Sequence, residues 1–103
     1  MKQLTKPQIN KIKKSLCRVE NFISNSGNTV ANQFRIYTEN GVTFQSYSTI
    51  IAIRLRSGQV VLDAGMWDCT VTTGKYRNQF LGCGVAETRE KITNGDYQLA
   101  DLN

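Results

Sequence analysis

The segment Thr72–Asn78 contains the residue types that come closest to a recognisable binding chemistry. Two threonines and Gly74 precede Lys75 and Arg77. Hydroxyl residues and glycine at the start of a helix leave backbone N–H groups free to meet an anion, and the two cations add attraction. The segment is not a P-loop, because the first glycine of that motif is missing and Tyr76 follows the lysine. The alternative is a simple helix start whose aromatic residues pack on the core.

A second basic feature lies at the amino-terminal end of the chain. The sequence has 13 cations and 8 acids, a formal net charge of +5, and six cations precede the first acid, Glu20. Lys11, Lys14 and Arg18 are three and four residues apart, so a helix would stack them on one face. Each like-charged pair would destabilise an isolated helix by about 0.2–0.5 kcal/mol. This pattern indicates a partner that presents phosphates or carboxylates.

Several catalytic chemistries are disfavoured by composition. The chain has no histidine, so the commonest general base and metal ligand is missing. Cys17, Cys69 and Cys83 are too far apart for a Cys-x-x-Cys site, and the carboxylates have no metal-loop spacing. We therefore expect a non-enzymatic protein that uses no metal or cofactor.

The amino-terminal cations are predicted to lie on a long amphipathic helix. Thr5, Pro7 and Gln8 are typical of a helix start with a capping box. The apolar residues Ile9, Ile12, Leu16, Val19 and Ile23 then recur at spacings of three and four. The pattern predicts a helix of about 18 residues within the segment 1–27.

Residues 30–73 are predicted to form an antiparallel β-meander. Apolar and polar residues alternate on both sides of Asn40-Gly41, which is a strong hairpin sequence. Two short helices and a tail are predicted in 74–103, with the tail either an edge strand or a docked end. Tyr37, Tyr47, Arg35, Arg54 and Arg56 are expected on one sheet face, either as a binding platform or as an ordinary solvated face.

The predicted fold is therefore a single α+β domain over residues 1–103. An N-terminal amphipathic helix packs on a 3–5 stranded antiparallel meander, followed by two short helices. The sheet is open or curls into a half-barrel. The apolar stripe of the helix covers this sheet or that of a second copy, which leaves a homodimer open.

No membrane association is expected from the sequence. The longest purely apolar run, Ile50–Ile53, is far too short to span a bilayer, and the first residues lack the apolar core of a signal peptide. These observations predict a cytoplasmic protein.

Several segments of residues 35–103 resemble a family of small uncharacterised bacteriophage and prophage proteins. Those that carry the resemblance are YTENGVTFQSYSTIIA (37–52), VLD (61–63), WD (67–68), TTGKYRNQFL (72–81), ETREKI (87–92) and DLN (101–103). TTGKYRNQFL is the most specific. The resemblance implies a phage setting, with the host bacterial cytoplasm as the location, and leaves the basic helix outside the shared region.

Small phage proteins without a catalytic set are commonly accessory factors, which leads to two functional expectations. The first is an anti-defence inhibitor, similar to anti-CRISPR proteins, that binds a host or defence complex through the basic helix face. The second is direct nucleic-acid binding. In both, the predicted contact residues are Lys11, Lys14, Arg18, Lys75 and Arg77.

Overall fold

The computed structural model describes residues 4–14 and 16–103, with side chains described outside 13–17. Three helices and six strands follow one another along these residues. In chain order they are α1 (Lys6–Lys14), β1 (Leu16–Ile23), β2 (Thr29–Thr38), β3 (Gly41–Ser46), β4 (Thr49–Leu55), β5 (Val60–Asp63), α2 (Val71–Leu81), α3 (Val85–Thr93) and β6 (Tyr97–Ala100).

The six strands form one mixed sheet whose spatial order is the chain order. Strands β1 to β5 are antiparallel neighbours, whereas β6 pairs in parallel with β5. A parallel neighbour cannot follow through a tight turn, so α2 and α3 supply the crossover between β5 and β6. Strands β2 and β3 are joined by Glu39-Asn40. A side chain on Gly41, the first residue of β3, would collide with the carbonyl oxygen of Arg54.

Both faces of the sheet are covered. On the α2 face, Phe44, Ala52 and Leu62 pack with α2 side chains in one buried cluster. On the opposite face, which we call the α1 face, Ile53 and Val61 pack with the two buried isoleucines of α1. Leu102 joins this second cluster, and its N–H donates to a carboxylate oxygen of buried Asp63 at 2.8 Å. The α1 helix and the end of the chain together therefore cover the α1 face.

The predicted long amino-terminal helix is wrong. The structure ends α1 at Lys14 and forms the edge strand β1 from Leu16–Ile23. The helical spacing of the apolar residues continues through 16–23, but residues 17–20 also alternate between apolar and polar side chains as a strand does. Pairing with β2 satisfies the backbone and buries Phe22 completely, which a short exposed helix cannot do.

The predicted sheet is also wrong in size and type, although the α+β class remains. Six strands replace the predicted three to five, because both residues 16–23 and the tail join the sheet. The tail makes the sheet mixed by pairing in parallel with β5. Within the described residues, every helix is too short or too polar to span a membrane.

Replacing Phe44 with Ala tests the centre of this fold. Its ring is fully buried, with centroids 5.1 Å from Phe22 and 5.8 Å from Phe80. We expect the free energy of unfolding to fall by about 3–5 kcal/mol, measured by urea denaturation. The control is Val71→Ala, at a side chain that is 92% exposed, for which a change within about 0.5 kcal/mol is expected. Equal losses in both variants would contradict this description of the core.

Candidate partner-binding surface

Four cations with aromatic partners lie around the part of the α2-face ring cluster that extends from α2 to β1. Strand register places three of them on this face, because Arg18 lies opposite Tyr37, Arg35 opposite Phe44, and Arg54 opposite Val42. The fourth lies on α2, which covers the same face. We call this set the cation rim. It consists of Arg18, Arg35, Arg54 and Lys75.

Arg35 and Arg54 hold the centre of the cation rim. The Arg35 guanidinium carbon lies 3.9 Å from the centroid of the Phe22 ring, and that of Arg54 lies 4.9 Å from the centroid of Phe80. Arg54 also donates to the carbonyl oxygen of Phe80 at 2.7 Å. Stacking on a ring face fixes a guanidinium in place while its N–H edge stays available for a carboxylate or a phosphate.

Arg18 extends the cation rim to the edge strand. Its guanidinium carbon lies 4.2 Å from the centroid of the Tyr37 ring, and its side chain is 64% exposed. Glu20 is its nearest acid, at 4.0 Å, and also accepts a hydrogen bond from the Tyr37 hydroxyl at 2.8 Å. An exposed ion pair at that distance neutralises little charge, so Arg18 remains able to attract an anion.

Lys75 extends the cation rim onto the helix. Its ammonium nitrogen lies 5.5 Å from the centroid of the Tyr76 ring, and Tyr76 meets Phe22 edge to face at 5.6 Å. Arg35 and Lys75 therefore sit on two rings that touch each other. Two cations from distant parts of the sequence are held on one continuous surface.

The structure separates the five contact residues predicted from the sequence. Arg18 and Lys75 belong to the cation rim. Lys11 is exposed on α1, which covers the opposite face of the sheet. Lys14 is the last residue of α1, and its side chain lies outside the described residues. Lys11 and Arg18 therefore do not share a helix face, and Lys11 lies apart from the cation rim.

Arg77, the fifth predicted contact residue, is an interior side chain that is 1% exposed. Its guanidinium donates to a carboxylate oxygen of Asp68 at 2.9 Å and to the carbonyl oxygen of Trp67 at 3.0 Å. It also donates to the side-chain oxygen of Asn78 at 2.9 Å. These bonds tie the loop between β5 and α2 to the helix, so Arg77 is occupied with holding that loop.

An open cleft of about 660 Å³ lies where this loop meets α2 and α3. Asp68 stands in its wall between Arg77 and Arg89, whose guanidinium is 3.0 Å from the second carboxylate oxygen. The hydrogen bond from Arg77 lowers the pKa of the Asp68 carboxyl below its ordinary value, outweighing the opposing effect of burial. A carboxylate held ionised in this way is a structural counter-ion and a poor proton donor. The described residues contain no group of three side chains suited to binding a metal.

Residues 17–98 match a family described as "Family of unknown function (DUF8033)". The chain belongs to this family. The match contains the whole cation rim and the six strands up to Gln98 within β6, and it leaves out α1. No curated protein and no solved structure matches the chain.

The sequence places Arg35 and Arg54 on one sheet face, and leaves open whether that face is a binding platform or an ordinary solvated face. Alternation along β2 and β4 indicated that they face the same side. It gave no sign that each has a buried ring beneath it, because Phe22 was assigned to a helix and Phe80 to a separate element. The contacts of Arg35 with Phe22 and of Arg54 with Phe80 are tertiary contacts, which alternation along one strand does not reveal.

Asp68→Asn tests the internal role of Arg77. The change removes the charge that compensates a buried guanidinium, so we expect unfolding free energy at pH 7 to fall by about 1–3 kcal/mol. The pKa of Asp68 is lowered in the folded state, so the extra stability of the wild type over the variant is present above pH 3.8, the ordinary pKa of Asp. This extra stability is lost as the pH falls below that value. Urea titrations at several pH values measure this. Glu90→Gln, at an exposed carboxylate of α3, is the control, and a similar loss there would refute the assignment.

Proposed function

We propose that the protein is a small non-enzymatic binding protein that docks on a carboxylate-rich surface of a partner protein through the cation rim. The observation that carries the proposal is the seating of four cations on aromatic rings across one face. Arginine and tyrosine are enriched in protein interfaces because they offer a large contact area and directional hydrogen bonds at little cost in ordering. Cations already fixed by stacking lose little further freedom on binding.

The state of the rings favours a protein partner over single-stranded nucleic acid. A base needs an exposed aromatic face on which to stack. Phe22 and Phe44 are fully buried and Phe80 is 4% exposed, while Arg18 lies over the half-buried Tyr37. Phosphate contacts remain available to the cation rim, but these rings offer no base platform.

In this proposal the partner is a host or defence complex, and the protein acts in the bacterial cytoplasm as a phage-encoded inhibitor. This setting depends entirely on the resemblance of residues 35–103 to small phage proteins. The docking element differs from the one predicted from sequence, because the cation rim replaces a basic helix face. Lys11 then lies on a separate surface, which the same experiments test, and the side chain of Lys14 lies outside the described residues.

The proposal predicts that Arg35→Ala combined with Lys75→Ala reduces partner capture by about tenfold or more. Tagged wild-type and variant proteins are incubated with nuclease-treated bacterial lysate, and the recovered proteins are quantified by mass spectrometry. A lysate protein is scored as a partner only if it is recovered with the wild type and lost with the variant. A thermal melt verifies that the variant is folded.

Two matched variants make this result specific. Arg56→Ala removes an exposed cation outside the cation rim, and Lys11→Ala removes one from α1. Both are expected to retain capture within about twofold. The proposal fails if the double variant recovers as much partner protein as the wild type does. It also fails if either control variant loses as much partner protein as the double variant. Loss from Lys11→Ala alone would assign docking to α1.

Direct nucleic-acid binding is the second candidate, favoured by three arginines on one sheet face whose N–H edges suit phosphates. It predicts micromolar or tighter binding of labelled single- and double-stranded DNA or RNA, measured by fluorescence anisotropy at two salt concentrations. Affinity should fall steeply as salt rises, because bound counter-ions are released from phosphates. Absence of binding at the lower salt concentration would exclude this candidate.

A further inference from the structure

Strand β1 is one of the two edge strands of the sheet. It is eight residues long, contains no proline, and pairs with β2 on one side only among the described residues. Irregular register occurs near its two ends and leaves the stretch Arg18–Asn21 regular. An uncovered edge strand exposes a row of backbone N–H and C=O groups that can pair with another strand.

The other edge of the sheet does not offer the same opportunity. Strand β6 has four residues, half the length of β1, so a second strand could pair with it over a shorter stretch only. Any pairing between sheets is therefore expected at β1.

We propose that two copies of the chain associate through antiparallel pairing of β1 with β1 about a two-fold axis at Val19. This register places Val19 opposite Val19 of the second copy, and Val19 is 48% exposed in the single chain. Arg18 of each copy then lies directly opposite Glu20 of the other. Opposite charges in directly facing positions stabilise a strand pair.

Charge selects this register over its neighbours. A two-fold axis perpendicular to the sheet keeps each face on its own side, so facing residues must belong to the same face. The allowed registers on either side place Arg18 opposite Arg18 or Glu20 opposite Glu20, and both arrangements repel. Within the single chain, Arg18 and Glu20 are 4.0 Å apart, which leaves both charges exposed and available to the second copy.

Pairing in this way would extend the proposed binding surface. The sheet would continue from one copy into the next with its α2 faces on the same side. The two cation rims would then lie on the same side of the joined sheet, separated by the two Arg18–Glu20 pairs at the two-fold axis. The self-association inference does not depend on the proposed partner, because it concerns the backbone edge and the charges on β1.

Charge exchange between two exposed positions tests the register. Arg18→Glu gives acids at positions 18 and 20, and Glu20→Arg gives cations at both, so each variant alone should remain monomeric. Their equimolar mixture restores every opposite pair and should associate. The double variant carrying both changes should associate with itself like the wild type. Analytical ultracentrifugation up to about 1 mM protein measures the masses, and circular dichroism verifies folding.

Val19→Lys is a second variant that leaves Arg18 and Glu20 in place and puts like charges at the two-fold axis; it should be monomeric. Ile23→Lys is its matched control, since Ile23 is also 48% exposed but lies outside the pairing stretch. The proposal is overturned if the wild type is monomeric throughout the concentration range. It is also overturned if both single charge variants dimerise as strongly as the wild type. The same holds if the equimolar mixture fails to associate although each variant is folded.

Discussion

The need to bury strands β4 and β5 on both faces controls the arrangement of the other elements. The residues from Ile50 to Ile53 and from Val60 to Asp63 are all buried, which is usual for central strands in a two-sided sheet. One face is covered by α2 and α3, and the other by α1 and the end of the chain. The two covers come from different parts of the chain, because α1 precedes the sheet whereas α2 and α3 lie between β5 and β6.

This arrangement also produces the cation rim. The aromatic cluster under α2 is wide enough to reach β1, where Phe22 contacts Phe44 and Tyr76. Arginines at the margin of such a cluster bury their aliphatic stems against rings and leave their charged ends at the surface. The surface that we propose for binding is therefore the outer margin of the core. Its geometry is as rigid as the packing beneath it.

The sequence predicted the elements with strong local patterns and missed those decided by distant contacts. The hairpin between β2 and β3 follows from the local sequence around Asn40-Gly41, although its turn residues are Glu39-Asn40. The two helices after β5 follow from spacing and glycine boundaries, but α2 begins at Val71, before the predicted segment 74–103. Residues 16–23 fit both a helix and a strand, and only the neighbouring β2 decides between them. The parallel pairing of β6 likewise depends on β5, which is more than 30 residues away.

For the candidate surface, sequence reasoning found two of the four cations, Arg18 and Lys75. It placed Arg77 among the ligand contacts because a cation near a helix start attracts anions. The structure uses that guanidinium internally, since Asp68 and two further oxygens surround it. A charge pattern indicates where cations occur along the chain, whereas burial decides which of them another molecule can reach.

The position of α1 has a consequence for how this architecture can vary. The family match begins at residue 17, so the helix that covers Ile53 and Val61 lies outside the shared region. These side chains need an apolar cover, but Ile9 and Ile12 are the only buried residues that α1 contributes among its described side chains. The shared region therefore contains the whole cation rim but not the helix that covers the opposite face. Residues 17–98 alone would leave Ile53 and Val61 without α1, so this face depends on an apolar segment from outside the shared region.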